Sequence, residues 1–381
     1  MNKKLILVII SILILSVIIS LIFNRIALMR EKAKVFFKAQ KVYCGLYHSL
    51  ALKSDGTLWT CGYNYHGELG TSDNKDRYQF TRVLSDVVDI AAGGYHSLAL
   101  KADGSVWVAG NNCYGQLGLG YVDDQMSFTK IESLSDVIAI ACGIYSSFAI
   151  KEDGTLWVTG YNEHGQLGSG YDVDMHFFYK VLSDTKAVAA GKYHTLVLKK
   201  DGTLWVAGLN DSGQLGYKNI QVQYRFVEVL SNVSSIVCGS FHSLVLKKDG
   251  TLLASGFNKN GQLGTSDFID KKAFVKVLSD VIAISAMGDC SFALKKDGTL
   301  WVTGYNPYGQ LGVVNNNSIN TFTQSFDKVK AASTGGFHSL LIKDDGTVWV
   351  TGYNYYGQLG TKDRKDRTPW TLIFVDPSNQ Y

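Results

Sequence analysis

An all-β fold is predicted: a seven-bladed β-propeller of four-stranded antiparallel blades, preceded by one N-terminal transmembrane helix. Three features predict it. A unit of near-constant length recurs seven times, side chains inside each unit alternate with the period of a strand, and one apolar run precedes the first unit.

The recurrence is clearest at an Asp-Gly pair whose glycines are Gly56, Gly104, Gly154, Gly202, Gly250, Gly298 and Gly346, separated by 48, 50, 48, 48, 48 and 48 residues. On either side of that pair, stretches such as Ser49–Lys53 and Thr57–Trp59 alternate as half-buried strands do. The Asp-Gly between them reads as a two-residue hairpin turn of type I′. The second of these strands ends at Gly62-Tyr63-Asn64, a loop built on Gly and Asn. Ten residues past the last Gly of the Gly-Gln/Glu-Leu-Gly motif comes an aromatic, which is Phe80, Phe128, Phe178, Phe226, Phe274, Phe322 or Trp370 and is expected to open a further strand. A fourth strand, such as Val87–Ala92, leads into the next unit. Four short strands repeated seven times make a propeller. A linear solenoid is the alternative; it would need polar capping units, and here both terminal units match the middle ones. Closure of a ring is expected to join residues 41–44 to the neighbourhood of Trp370–Phe374, either within a blade or between two.

The helix is expected at 5–23, nineteen residues of Leu, Ile, Val and Phe interrupted only by Ser11, Ser16 and Ser20. At 1.5 Å per residue such a helix spans about 28 Å, close to the bilayer core. A short basic n-region (1–4) precedes it, and no small-x-small cleavage site follows, so an uncleaved signal-anchor is favoured over a cleaved signal. Residues 24–40 form a basic linker, and 41–381 the seven-repeat propeller. The expected location is the cell membrane, as a single-pass protein with the propeller on the extracellular side. The bases flanking the run argue for the opposite orientation, a rule that weakens for large domains following an N-terminal signal.

Composition narrows the function. With 46% hydrophobic and 18% charged residues, the 381-residue chain is neither disordered nor fibrous, and 39 Gly against 3 Pro point to many tight turns. The formal net charge is +4, but residues 1–38 hold seven bases and one acid. The remainder is slightly acidic, so no nucleic-acid binding is expected of the propeller.

Several recurring residues look chemical. His48, His96, His194, His242 and His338 share one position, with Ser146 and Cys290 in units three and six. Equivalent positions in a ring lie in different blades, so a structural hydrogen bond tying blade to blade is favoured over a metal or acid–base cluster. Trp59, Trp107, Trp157, Trp205, Trp301 and Trp349 share a strand position, with Leu253 in unit five, and read as packing. The Asp-Gly aspartates are explained by their turns, and no calcium loop, phosphate loop, zinc spacing or nucleophile elbow is present. No metal, no cofactor and no catalytic residue is expected, and the chain is not read as an enzyme. Cys44, Cys61, Cys113, Cys142, Cys238 and Cys290 read as free thiols, since Cys44, Cys142 and Cys238 fall in alternate blades, too far apart to bridge.

The segments Gly93–Leu100, Asp103–Trp107 and Gly110–Gly118 carry a unit nearly complete, and they resemble the regulator-of-chromosome-condensation repeat family. The resemblance covers about 41–381. It implies a seven-bladed propeller, and in character it is nearest to bacterial secreted or membrane-anchored members. Relatives in this family include nucleotide-exchange factors, a plant UV-B photoreceptor and secreted β-lactamase inhibitors. The photoreceptor's tryptophan positions are held here by Leu46, Gly94, Ile144, Lys192, Ser240, Gly288 and Gly336, so light sensing is not implied. The exchange factors' extra β-wedge has no counterpart, as only unit two gains two residues near Glu132-Ser133.

A propeller's loops are free to vary and bind. The pair after each loop asparagine is aromatic in units six, seven, one and two and polar in units four and five. Tyr308, Tyr355, Tyr356, Tyr65, His66 and Tyr114 are therefore the candidate ligand-binding sector. The alternative is ordinary exposed loop tyrosines. The expected function is a non-enzymatic, membrane-tethered module that recognises a protein, or a cell-wall glycan, through its rim loops. The second reading is a cytoplasm-facing, exchange-factor-like regulator of a nucleotide-binding protein.

Overall fold

The computed structural model describes residues 35–217 and 220–375. Lys38–Leu372 forms one compact unit of seven sheets, each with four antiparallel strands in simple sequence order. The blades occupy 41–84, 87–130, 137–182, 185–230, 233–278, 281–326 and 329–372. Lys41–Cys44 is the inner strand of blade one, paired with His48–Leu52, and blade seven draws its four strands from 329–372. The join therefore falls between blades. Cys44 donates its backbone N–H to Ser333 Oγ of blade seven (3.1 Å), and Ser49 Oγ meets His338 Nε2 (2.7 Å). The ring closes with the kind of contact its other neighbours use.

The hydrophobic core lies between blades rather than within them. Leu50, Leu52 and Leu58 of blade one pack on Val87, Ile90, Ala92 and Phe128 of blade two. Burying one such Leu is worth about 1.5–3 kcal/mol, and a sheet buried on both faces explains why the second strand of each blade is buried along nearly its whole length. The recurrent aromatic does not open its strand: the outer strand of blade one begins at Arg77, three residues before Phe80. The ring instead packs on the blade before it, where a Cβ on Gly360 would lie 2.7 Å from Phe80 Cδ2.

The Asp-Gly hairpin also differs from the expected two-residue turn. Lys53 N–H donates to Thr57 O (3.0 Å) and Gly56 N–H to Lys53 O (3.1 Å). Only the glycine takes positive φ, at 77°, which makes a three-residue loop closed by a left-handed residue. The aspartate locks it: Asp55 Oδ1 accepts from Thr57 N–H (2.9 Å) and Thr57 Oγ1 (2.6 Å). Trp59 Nε1 donates to that threonine (2.9 Å), and Lys53 Nζ sits 4.0 Å over the Trp59 ring. The tryptophans thus join packing to the hairpin's polar lock.

The inner strands line a central channel of about 460 Å³ walled mainly by small residues such as Ala91, Ala141, Ala189 and Ala331. Tyr43 enters the channel, and burial, reinforced by Asp89, pushes its phenol up to about 12. Lys41 Nζ pairs with Asp89 across blades one and two (2.7 Å).

A separate small unit contains the antiparallel pair Val35–Phe36 and Phe374–Val375. The expected n-region (1–4), membrane-spanning run (5–23) and most of the basic linker lie outside the described residues. Among the described residues no helix is long and apolar enough to cross a membrane.

Candidate functional site: the aromatic rim

The recurrent histidines are buried between blades. Each Nε2 reaches a serine of the next blade: His48 to Ser97 (3.0 Å), His96 to Ser147 (2.9 Å), His194 to Ser243 (3.0 Å), His242 to Ser291 (2.8 Å) and His338 to Ser49 (2.7 Å). These serines donate their own protons to the main-chain carbonyls of Glu68, Gln116, Gln214, Gln262 and Gln358 at 2.6–2.7 Å. The imidazole must then be the donor, neutral and protonated on Nε2. Burial holds these rings down to about 3 to 4. They are blade-to-blade latches, as the repeat spacing suggests.

The latch also explains the glycine opening each inner turn. A Cβ on Gly45 would stand 2.3 Å from His48 Cε1. In blade six the histidine is Cys290, and Met287, opposite it on the inner strand, occupies the glycine's place.

One rim carries the aromatic side chains. The residue preceding each histidine position is Tyr47, Tyr95, Tyr145, Tyr193, Phe241, Asp289 or Phe337, and its carbonyl accepts the N–H of the residue just after the third strand: Tyr47 O from Tyr63 (3.0 Å), Tyr145 O from Tyr161 (3.0 Å), Phe337 O from Tyr353 (2.9 Å). That repeated bond sets two rows of rings side by side. Phe337 and Tyr47 stack at 5.1 Å, Tyr47 meets Tyr63 at 6.2 Å, Tyr63 meets Tyr95 at 6.5 Å, and the chain runs on through Tyr145, Tyr161, Tyr193, Phe241 and Phe257. It is interrupted at Asp289, whose carboxylate accepts from Asn260 Nδ2 (2.9 Å) and Gln262 Nε2 (3.0 Å) and is pushed up by burial. Burial raises Tyr47 and Tyr63 to about 12, with neighbouring phenols adding at Tyr47 and the Glu68 carboxyl, then phenols, at Tyr63.

The loop pair rides on this belt. In blade seven Asn354 is buried: its Nδ2 donates to Thr361 Oγ1 (3.0 Å), Asp363 O (2.9 Å) and Lys365 O (3.1 Å), and its Oδ1 accepts Leu359 N–H (3.0 Å). The loop bearing Tyr355 and Tyr356 is thereby held from inside.

Of the six predicted residues, two pairs touch directly, Tyr65 with His66 (5.0 Å) and Tyr355 with Tyr356 (5.1 Å). Tyr356 packs edge-on against Tyr63 at 4.9 Å and so joins blades seven and one. Tyr308 enters through Phe337 (5.8 Å) and Tyr353 (4.9 Å), and Tyr114 through Tyr145 (5.3 Å) and Tyr161 (4.9 Å). His66 Nδ1 lies 2.6 Å from Asp124 Oδ2 of blade two. The connecting rings were missed because they recur and read as part of the repeat; the aromatic before each histidine was the available signal. The belt also runs into blades three to five, beyond the predicted sector. Among the described residues no group of three or more His, Cys, Asp or Glu is placed to hold a metal ion, and the six cysteines are free.

Two family models for the regulator of chromosome condensation (RCC1) repeat match the chain, one over 39–68, 87–116, 137–166, 186–214, 233–262 and 329–358, the other over 55–100, 103–150 and 201–246. No curated protein sequence matches it significantly. Among solved structures, that of Kap60 bound to yeast RCC1 (Prp20) is similar with a TM-score of 0.76 and 22% identity, covering 90% of this chain and 89% of that one. Human WBSCR16 gives 0.74 and 20%, covering 82% and 89%. Prp20p from Saccharomyces cerevisiae gives 0.72 and 22%, covering 86% and 87%. At these identities the likeness is one of fold. Repeat motifs, period and seven-bladed architecture agree, and the chain belongs to the regulator of chromosome condensation (RCC1) repeat family.

Proposed function

We propose that this protein is a non-enzymatic, membrane-tethered binding module that recognises a protein partner through the aromatic rim, with the propeller on the extracellular side. The observation that carries the reading is the belt of contacting rings on one rim, into which Tyr65, His66, Tyr114, Tyr308, Tyr355 and Tyr356 are joined. Tyrosine offers large contact area at low entropy cost, and protein interfaces favour it. The histidines support a non-enzymatic reading because each is committed to a neighbouring serine. The apolar run 5–23 supports the tether. Protein partners are also what the similar structures name: Kap60 for one, Gsp1p and histones for another.

The second reading, a cytoplasm-facing regulator of a nucleotide-binding protein, is favoured by the Prp20 structures. Protease treatment of intact cells separates the two, since only an outward-facing propeller is cut. Affinity capture with the full chain, from extracellular and cytosolic extracts, then identifies the partner. Replacing Tyr355 and Tyr356 with alanine should weaken its binding by about tenfold or more, and unchanged binding removes the rim as the site.

A further inference from the structure

The outer circumference of the ring is not uniform. Three residues past the last glycine of the Gly-Gln/Glu-Leu-Gly motif, blades one, five and seven carry Asp73, Asp267 and Asp363, each paired with a base four residues on: Arg77 (2.8 Å), Lys271 (2.7 Å) and Arg367 (2.6 Å). In blades two and three both partners are gone. The aspartate's place is taken by Tyr121 and Tyr171, 83% and 63% exposed, and the base's place by Gln125 and Met175.

The outer strand of blade three, Met175–Leu182, adds Phe177 and Tyr179, 58% and 55% exposed. The fold does not ask for these residues. At the place of Phe177 other blades hold Gln79, Ser127, Arg225, Ala273, Thr321 and Pro369, and at that of Tyr179 they hold Thr or Val. Tyr121 joins the strand: it stacks on His176 at 4.1 Å and meets Phe177 at 6.5 Å, with the blade-two loop held by Gly120 N–H on His176 O (2.8 Å). This strand is also the edge of its sheet. A long apolar edge of this kind is usually blunted by charge or proline, as Pro369 does in blade seven.

The loop that lies on this strand, and the loop that leads into it and itself packs on blade four through Gly170 N–H on Tyr224 O (2.8 Å), carry charge of one sign. Residues 111–126 and 161–176 hold Asp123, Asp124, Glu163, Asp172 and Asp174 and no Lys or Arg, whereas the corresponding loop of blade seven holds Lys362, Arg364, Lys365 and Arg367 against two acids. Asp124 and Glu163 are engaged by His66 and Tyr161. Asp123 and Asp172 are exposed. Lys180 and Arg225 bound the surface.

We propose that the outer edge of blade three, with the adjoining loop of blade two, docks an extended cationic segment of a partner protein, in which lysine or arginine alternates with apolar side chains. The apolar residues lie on Phe177, Tyr179 and Tyr121. The bases face Asp123 and Asp172 and the tyrosine faces, where cation–π attraction adds to ion pairing. Tyr121, Phe177, Tyr179, Asp123 and Asp172 are none of the rim's rings, so the variants below leave those rings in place and test the edge apart from the rim's role.

The test uses the full chain in neutral-lipid nanodiscs, with empty nanodiscs as blank, and labelled peptides alternating lysine with leucine, glutamate with leucine, or lysine with serine. The lysine–leucine peptide is expected to bind at least about tenfold more tightly than either control. Phe177→Thr with Tyr179→Thr, the residues blade six carries at these places (Thr321 and Thr323), should weaken it by about tenfold at unchanged thermal stability. Asp123→Asn with Asp172→Asn should weaken it several-fold and flatten its salt dependence. Equal binding of the glutamate or serine peptide, or binding indifferent to the threonine pair, overturns the proposal. So does concentration-dependent self-association abolished by the threonine pair, which would make a second copy the occupant.

Discussion

Glu68 shows how much one residue can depart from its repeat. Six blades place glutamine there, as at Gln116, Gln310 and Gln358, whose Oε1 accepts a loop N–H at 3.0–3.1 Å. Glu68 keeps that bond, from His66 N–H to Oε2 (3.0 Å), and its Oε1 is buried without a partner, as are Nε2 of Gln310 and Gln358; what differs is that a carboxyl can ionise. Burial, with Asp124 and Asp76 adding, pushes its carboxyl up to about 8. The folded state therefore keeps a proton that the unfolded chain releases near pH 4.5, and stability falls as pH rises from there to about 8. Glu68→Gln is expected to stabilise the protein at pH 7.5 by more than about 1 kcal/mol, with little change at pH 4. Urea titrations at the two pH values check this.

At the scale of the element, the loops of the rim are built around an asparagine with no freedom to move. Asn354 satisfies three main- and side-chain acceptors and one N–H from a fully buried position. Removing it leaves those groups unpaired in the interior, at about 1–3 kcal/mol each where water cannot enter. Asn354→Ala is expected to cost about 2–4 kcal/mol and to speed amide exchange across 355–366 while the strands of blade seven stay protected. Exchange measured by mass spectrometry reads both. The hairpins behave similarly: in six blades an Asp-Thr/Ser-Trp chain under a lysine makes a small polar lock, and blade five, with Leu253, keeps the bond from Thr251 N–H to Asp249 (2.9 Å), which is why Asp-Gly recurs although the turn is longer than its two letters suggest.

For the whole molecule, stability resides in the joints between blades. Five of seven joints have a His–Ser latch. At the joint of blades three and four, Ser146 and Thr195 take the partners' places, and Thr195 Oγ1 is buried without a bond. At six and seven, Ser339 turns to Thr334 of its own blade (3.1 Å), and Trp370 Nε1 instead ties the outside to Ser325 (2.9 Å). The latched imidazoles, held at about 3 to 4 by burial, couple the ring to pH. Unfolded histidine takes up a proton near pH 6.5 and the folded ring does not, so the contribution of these rings to stability is full above that value. It declines by about 1.4 kcal/mol per pH unit for each imidazole as pH falls toward 4. The midpoint of thermal unfolding should drop steeply between pH 6.5 and 4.5, and less steeply in a His194→Gln variant. Equal slopes would place the acid sensitivity elsewhere.

The seven units, the strands in each and the structural use of the histidines were legible in the sequence because each is a local pattern repeated, with period, turn residue and alternation all visible along the chain. The blade phase was not, since inner and outer strands alternate alike and only pairing distinguishes them. Nor was the true extent of the rim. Aromatics at the place of Tyr47 and Tyr95 recur in six units, as the tryptophans do, and at that of Tyr63 and Tyr353 in five; a recurring residue reads as scaffold until the backbone bond between turn and strand end sets its ring beside those of the next blade. The exposed edge at Phe177 is the converse case: an irregularity in one unit that became a surface only when the neighbouring loop brought Tyr121 against it. What the linear order determined was the repeating part, because recurrence needs no third dimension; what tertiary structure decided was adjacency between blades, because residues about 50 apart meet only when the ring closes.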